Sequence, residues 1–117
     1  MSLPQKPTEI AAAAAEAVRT LSQAVPDGLD YPTEVHSTVG NLMTLAEELP
    51  RSFEPLLAFL TQLNAVGALR SDRNDLDGEL AAAAAALTDA TTAAEDLHRA
   101  LERAHAALGA VGYVTPA

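Results

Sequence analysis

Apolar residues recur along most of the chain at intervals of three and four, which is the period of an amphipathic α-helix. The first predicted helix is capped by Thr8 and ends near Ala24, before the turn that contains Pro26 and Gly28. Its apolar positions form a single stripe that consists of Ile10, Ala14, Ala17, Val18, Leu21 and Val25. Such a stripe predicts a helix with one face to bury.

The middle of the chain predicts either two helices or one. Thr33 can cap a helix whose apolar positions are Val35, Val39, Leu42, Ala46 and Leu49. Pro50 then marks a boundary, and Ser52 can cap a next helix that runs to about Ala68. This next helix has its apolar positions at Phe53, Leu56, Leu57, Leu60, Leu63 and Val66, with Phe59 beside them. The alternative is one long helix kinked at Pro50, and the pattern leaves both open.

The last predicted helix follows a polar loop over residues 70–78, is capped by Asp77, and runs from about Glu79 to Leu108 or beyond. Thirty helical residues would span about 45 Å. Three rows repeat every seven residues: Leu80, Leu87, Ala94, Leu101 and Leu108; Ala83, Ala90, Leu97, Ala104 and Val111; and Ala86, Ala93, Ala100 and Ala107. Three rows make a face wide enough for more than one neighbouring helix.

These patterns predict an all-α fold: a small antiparallel bundle of three to four helices with a long C-terminal helix. The length of 117 residues fits one domain, placed at residues 8–112. Residues 1–7 are expected to be a flexible lead, and residues 113–117 a flexible tail.

The apolar residues are small, which bears on function. They make up 49% of the chain but are mostly Ala and Leu, with no Trp, two Phe and two Tyr. Burial stabilises by roughly 25 cal/mol per Å², so an alanine-rich core contributes little. We therefore expect a non-enzymatic protein–protein interaction module whose partner is another protein, such as a second copy in a homodimer. The predicted interface residues are Leu80, Leu87, Leu97, Leu101 and Leu108.

The charge balance argues against several classes of partner. Seven Lys and Arg stand against sixteen Asp and Glu, and the net charge is −9. Nucleic acids and anionic membranes attract basic surfaces, so neither is expected as a partner. An acidic protein that sequesters a basic partner remains an alternative, which predicts salt-dependent binding.

The expected cellular location is inferred mainly from features that the sequence lacks. There is no cysteine, which excludes disulfides and thiolate chemistry. The first residues do not form a signal peptide, and the uncharged stretch at 55–69 is short for a membrane span. A cytoplasmic protein is expected, and the abundance of Ala and Arg is typical of a high-GC bacterial source.

The second alternative is a bundle that binds a small ligand or a metal. Glu95 and His98, then Glu102 and His105, form two Glu-x-x-His units on the last helix. A Glu and a His three residues apart share a helix face, as in di-iron carboxylate bundles, although those bundles place the units on different helices. The same residues also suit a solvated face, so no metal or other cofactor is predicted.

Other chemical motifs are incomplete. The loop that ends at Gly78 has Arg73 and Ala84 at the first and twelfth positions of a calcium-binding EF-hand loop, where acidic ligands are required. His36 and Ser37 are adjacent, and neighbours on a helix point in different directions. No catalytic residue is therefore predicted.

Overall fold

The computed structural model describes residues 6–114, and within this range the regular structure is entirely helical. It contains α1 (Pro7–Gly28), α2 (Pro32–Ala65) and α3 (Leu76–Leu108). The predicted all-α class is confirmed. Residues 1–5 and 115–117, which include most of the expected flexible lead and part of the expected flexible tail, lie outside the described residues.

Proline starts two of the helices one residue before the predicted caps. Pro7 and Pro32 occupy the first helical positions of α1 and α2, where a missing N–H costs nothing and the fixed φ suits a helix. Thr8 and Thr33 therefore lie inside the helices. At the start of α1, the Lys6 N–H donates to the Glu9 carboxylate at 3.3 Å.

Proline does not end the helices where the sequence suggested. α1 continues through Pro26 to Gly28, and α2 continues through Pro50 and Pro55. The division of the middle segment into two helices is thus wrong, and the single long helix is correct. Ser52 caps nothing, because its hydroxyl donates to the Leu49 carbonyl at 2.6 Å. At Pro50 and Pro55 the helix is packed alongside α3, which extends on both sides of these prolines, whereas α1 continues past Pro26 without such a neighbour.

α2 ends in a Schellman motif. Gly67 has a positive φ of 70°, which glycine adopts without the steric cost of a Cβ. The Ala68 N–H donates to the Leu63 carbonyl at 3.0 Å, and the Gly67 N–H donates to the Asn64 carbonyl at 3.1 Å. These bonds satisfy carbonyls at the helix end and turn the chain out of the helix.

The loop before α3 is organised around Ser71. The Ser71 hydroxyl donates to Glu79 and accepts from the backbone N–H groups of Arg73 and Asp75. Asp75, rather than the predicted Asp77, is the N-cap residue of α3. A Cβ at Gly78 would lie 2.5 Å from the Asp75 carboxylate oxygens, so this glycine leaves room for the Asp75 side chain.

The second and third helices pack along one another in opposite directions. Tyr31, at the start of α2, packs edge-on against Tyr113, with ring centroids 5.3 Å apart. Further along α2, Leu57 borders the same surface depression as Leu87. The buried and half-buried positions along this contact, here called the seam, include on α2 His36, Val39, Met43, Ala46, Pro50, Phe53, Leu57 and Leu60, and on α3 Leu80, Ala84, Leu87, Thr91, Ala94, His98, Leu101, His105 and Leu108.

The first helix packs differently. Among the described residues, α1 contains no buried side chain and packs against neither α2 nor α3. The radius of gyration is 19.8 Å, against about 13 Å for a compact chain of this length. The described chain is therefore an elongated helical pair, preceded in sequence by a helix that does not pack on it.

Candidate functional site

The predicted interface residues fall on two different surfaces. Leu80, Leu87, Leu101 and Leu108 are half-buried in the seam, whereas Leu97 is 46% exposed. The seam contains the predicted row that runs from Leu80 to Leu108. Its second row is not the predicted one, which includes Leu97 and Ala104, but lies one position later, at His98 and His105. The shift has a simple cause. A face of three rows is wider than one neighbour can cover, so α2 covers one edge of it.

The uncovered edge belongs to a second apolar surface, here called the outer face. On α2 it consists of Leu45, Leu49, Ser52, Leu56 and Phe59, and on α3 of Ala86, Ala90, Ala93, Leu97, Ala100, Ala104 and Ala107. Leu56 is 51% exposed and Phe59 is 59% exposed. Sequence reasoning missed the α2 part, because it placed Leu49 and Leu56 with the residues that face α3.

The two parts of the outer face lie on the same side of the helical pair. Each of its residues immediately precedes a seam residue, as Leu56 precedes Leu57 and Ala93 precedes Ala94. One residue is about 100° of rotation in an α-helix, so both rows are displaced from the seam in the same sense about their own helix. Because α2 and α3 run in opposite directions, equal rotations bring both rows to one side.

Charged residues border the outer face but do not lie on it. The outer face contains no charged residue, and Glu48 and Asp96 lie at its edges. Each of these acids already forms an ion pair on its own helix, Glu48 with Arg51 and Asp96 with Arg99. Asp89 lies one heptad before Asp96 at the same edge of α3, and no ion pair of the described residues includes it.

The candidate metal-binding residues are not gathered at one point. His98 and His105 are half-buried in the seam, whereas Glu95 and Glu102 are exposed. His98 borders a shallow depression with Ala46, Glu47, Glu95 and Arg99. Across residues 6–114, no three His, Cys, Asp or Glu side chains are grouped so that they could hold a metal ion.

His105 instead stacks on His36, a contact that the sequence did not indicate. The ring centroids are 3.8 Å apart and the planes differ by 24°. Nitrogen lone pairs lie in the plane of an imidazole ring, so two stacked, nearly parallel rings do not aim at one ion. Gly40 and Gly109 border this stack. A Cβ at Gly40 would lie 3.2 Å from His105 Nε2, so the absence of a side chain there admits the ring.

The ion pairs of the described residues are local. They join residues three or four apart on one helix, or residues within the segment 70–79. None of them bridges α2 and α3 in this part of the chain. Exposed pairs of this kind contribute at most about 1 kcal/mol each. Apolar packing and ring contacts therefore hold the helical pair together.

Comparisons with known proteins add no relative. No protein-family model matches the chain, and no curated protein or solved structure is significantly similar to it. Among the described residues, no helix has the length and hydropathy needed to span a membrane.

Proposed function

We propose that this chain is a non-enzymatic helical interaction module that associates with itself through the outer face. The observation that carries the proposal is the exposure of Leu45, Leu49, Leu56 and Phe59 in one line on α2. Single exposed apolar residues are ordinary, but an apolar patch marks an interaction site, and this one is interrupted on α2 by Ser52.

The energetics of the chain favour a partner. Among the described residues, the buried apolar positions are two alanines, Ala46 and Ala94. Covering a leucine or phenylalanine completely stabilises by roughly 1.5–3 kcal/mol. The four large residues on α2 are already partly covered, so a partner over the outer face would gain a few kcal/mol from them.

The predicted bundle of three to four helices is part of this proposal. One chain supplies the antiparallel pair of α2 and α3, and the partner supplies the remaining helices. α1 offers a second apolar stripe, since Ile10 and Val18 on it are exposed. It can extend the contact at the end of the pair where it joins α2.

The test is the mass in solution, measured by light scattering after size exclusion over a range of concentrations. The native chain is expected at twice 12.1 kDa. Leu56→Glu places a charge on the outer face and should return the mass to that of a monomer. Ala58→Glu is the matched control, because Ala58 is exposed on the opposite flank of α2. A native monomer at every concentration would reject self-association.

A further inference from the structure

We propose that two copies join outer face to outer face about a two-fold axis parallel to the helices, so that α2 of each copy lies on α3 of the other. This inference rests on the proposed self-association and specifies its geometry. The product is a four-helix bundle made from two helical pairs.

The sizes of the side chains favour the pairing of α2 of one copy with α3 of the other. The outer face of α2 presents Leu45, Leu49, Leu56 and Phe59, whereas that of α3 is alanine at every position except Leu97. Large side chains of one helix fill the space above small side chains of another, as packing at the density of a protein interior requires. The other two-fold arrangement, with α2 on α2, would oppose large rows and leave alanine against alanine.

The alignment of α2 with α3 within one chain determines which residues of the two copies meet. Within one chain, Tyr31 contacts Tyr113 and His36 contacts His105, so positions of the two helices lie level where their residue numbers add up to about 141–144. A two-fold axis parallel to the helices preserves these levels. Leu56 of one copy would therefore meet the other copy between Ala86 and Ala90.

The directions of the helices agree with this arrangement. The axis keeps α2 of both copies parallel and places them on a diagonal. Each helix then has two antiparallel neighbours, as in up-down-up-down four-helix bundles. A contact of this type is isologous, because each copy gives and receives the same residues.

The available area comes close to that of a standard interface. The outer face covers residues 45–59 of α2 and 86–107 of α3, which are about 20 Å and 30 Å of helix, and the two helix axes lie about 8–10 Å apart. The surface that one copy can bury there is on the order of 600 Å². An interface of standard size buries about 800 Å² from each partner, so the polar positions that flank the outer face contribute the remainder.

The experiment uses single cysteines, since the native chain has none. A chain carrying Leu56→Cys is mixed with a differently tagged chain carrying Ala86→Cys and is then oxidised. We expect disulfides between the two kinds of chain to dominate. Two chains that both carry Leu56→Cys should not link to each other, because the two α2 helices lie on a diagonal that holds these positions beyond the reach of a disulfide. Leu56→Cys mixed with Ala100→Cys is the control, because these positions are several helical turns apart in level.

A bulky residue gives an independent measurement. Ala93→Trp should reduce the mass from twice 12.1 kDa to 12.1 kDa, because Leu49 of the other copy lies over this position. Ala106→Trp, exposed on the other flank of α3, should leave the dimer intact.

The outcomes separate this arrangement from self-association itself. If the native chain is a dimer but chains with Leu56→Cys link mainly to one another, α2 lies on α2 and the arrangement is overturned. An intact dimer in Ala93→Trp would also overturn it, since the other copy would then not cover the alanine row of α3. A monomeric native chain would reject both this arrangement and the proposed function.

Discussion

The seam and the outer face repeat with the same spacing along the same two helices, yet they are built from different residues. The seam is centred on Ala46 and Ala94 and includes histidines and a proline. On α2 both surfaces carry large apolar side chains, since Phe53 and Leu57 lie in the seam and Leu56 and Phe59 lie on the outer face. The two surfaces differ on α3, where the seam has four leucines and the outer face is alanine except at Leu97. The seam is thus filled by large side chains from both helices, whereas the outer face of α3 leaves space that the large side chains of another body can fill.

The comparison predicts which substitutions affect folding and which affect assembly. Leu101→Glu places a carboxylate in the seam, and we expect the free energy of unfolding to fall by about 2–4 kcal/mol. Thermal unfolding followed by circular dichroism measures this loss. The measurement is made in a chain that also carries Leu56→Glu, so that dimer dissociation does not contribute.

Leu97→Glu is the matched variant on the outer face. In the same background it should change the free energy of unfolding by no more than about 0.5 kcal/mol, as exposed positions usually do. In an otherwise native chain it should abolish the dimer mass. Equal destabilisation by both variants would show that the two surfaces do not have separate roles.

The glycine beside the histidine stack gives the next largest expected effect. Gly40→Leu adds a branched side chain where a Cβ alone would be 3.2 Å from His105 Nε2. Overpacking typically costs 1–3 kcal/mol, and the helix gains about 1 kcal/mol when glycine is replaced. We expect a net loss of about 1 kcal/mol in denaturant unfolding.

A second variant separates crowding by the ring from other effects of the substitution. In a His105→Ala chain the ring is absent, so Gly40→Leu should become neutral or stabilising. The two changes should therefore be coupled by about 1–2 kcal/mol in a double-mutant cycle. Additive effects would contradict the contact between Gly40 and His105.

The sequence predicted the helical class because its three- and four-residue spacing is long and regular. It misplaced the helix boundaries at several prolines, and two physical reasons account for all of them except Pro26. Pro7 and Pro32 start helices because the first turn needs no N–H from them. Pro50 and Pro55 remain inside α2 because α3 packs alongside, and tertiary packing overrides a local preference.

The candidate surface was only partly predictable. The repeat on α3 predicted a face wider than one neighbour needs, and Leu97 lies on the part of it that α2 does not cover. The pattern could not assign rows to neighbours, because a repeat of seven residues fits a partner on either edge. The stack of His36 on His105 joins residues far apart in sequence. Gly40, in the middle of a predicted helix, was the one signal of close approach nearby.

The smallest expected effect concerns the end of the pair where α1 joins. Tyr31 lies between α1 and α2 and packs edge-on against Tyr113, which follows α3. Such ring pairs contribute about 0.5–1.5 kcal/mol. Tyr113→Ala should therefore reduce stability by about 1 kcal/mol and increase amide exchange at residues 29–31, measured by mass spectrometry. Tyr113→Phe retains the ring and should exchange like the native chain. Because this contact lies outside both the seam centre and the outer face, the dimer mass should stay unchanged in both variants. A loss of the dimer in Tyr113→Ala would mean that the junction with α1 forms part of the interface.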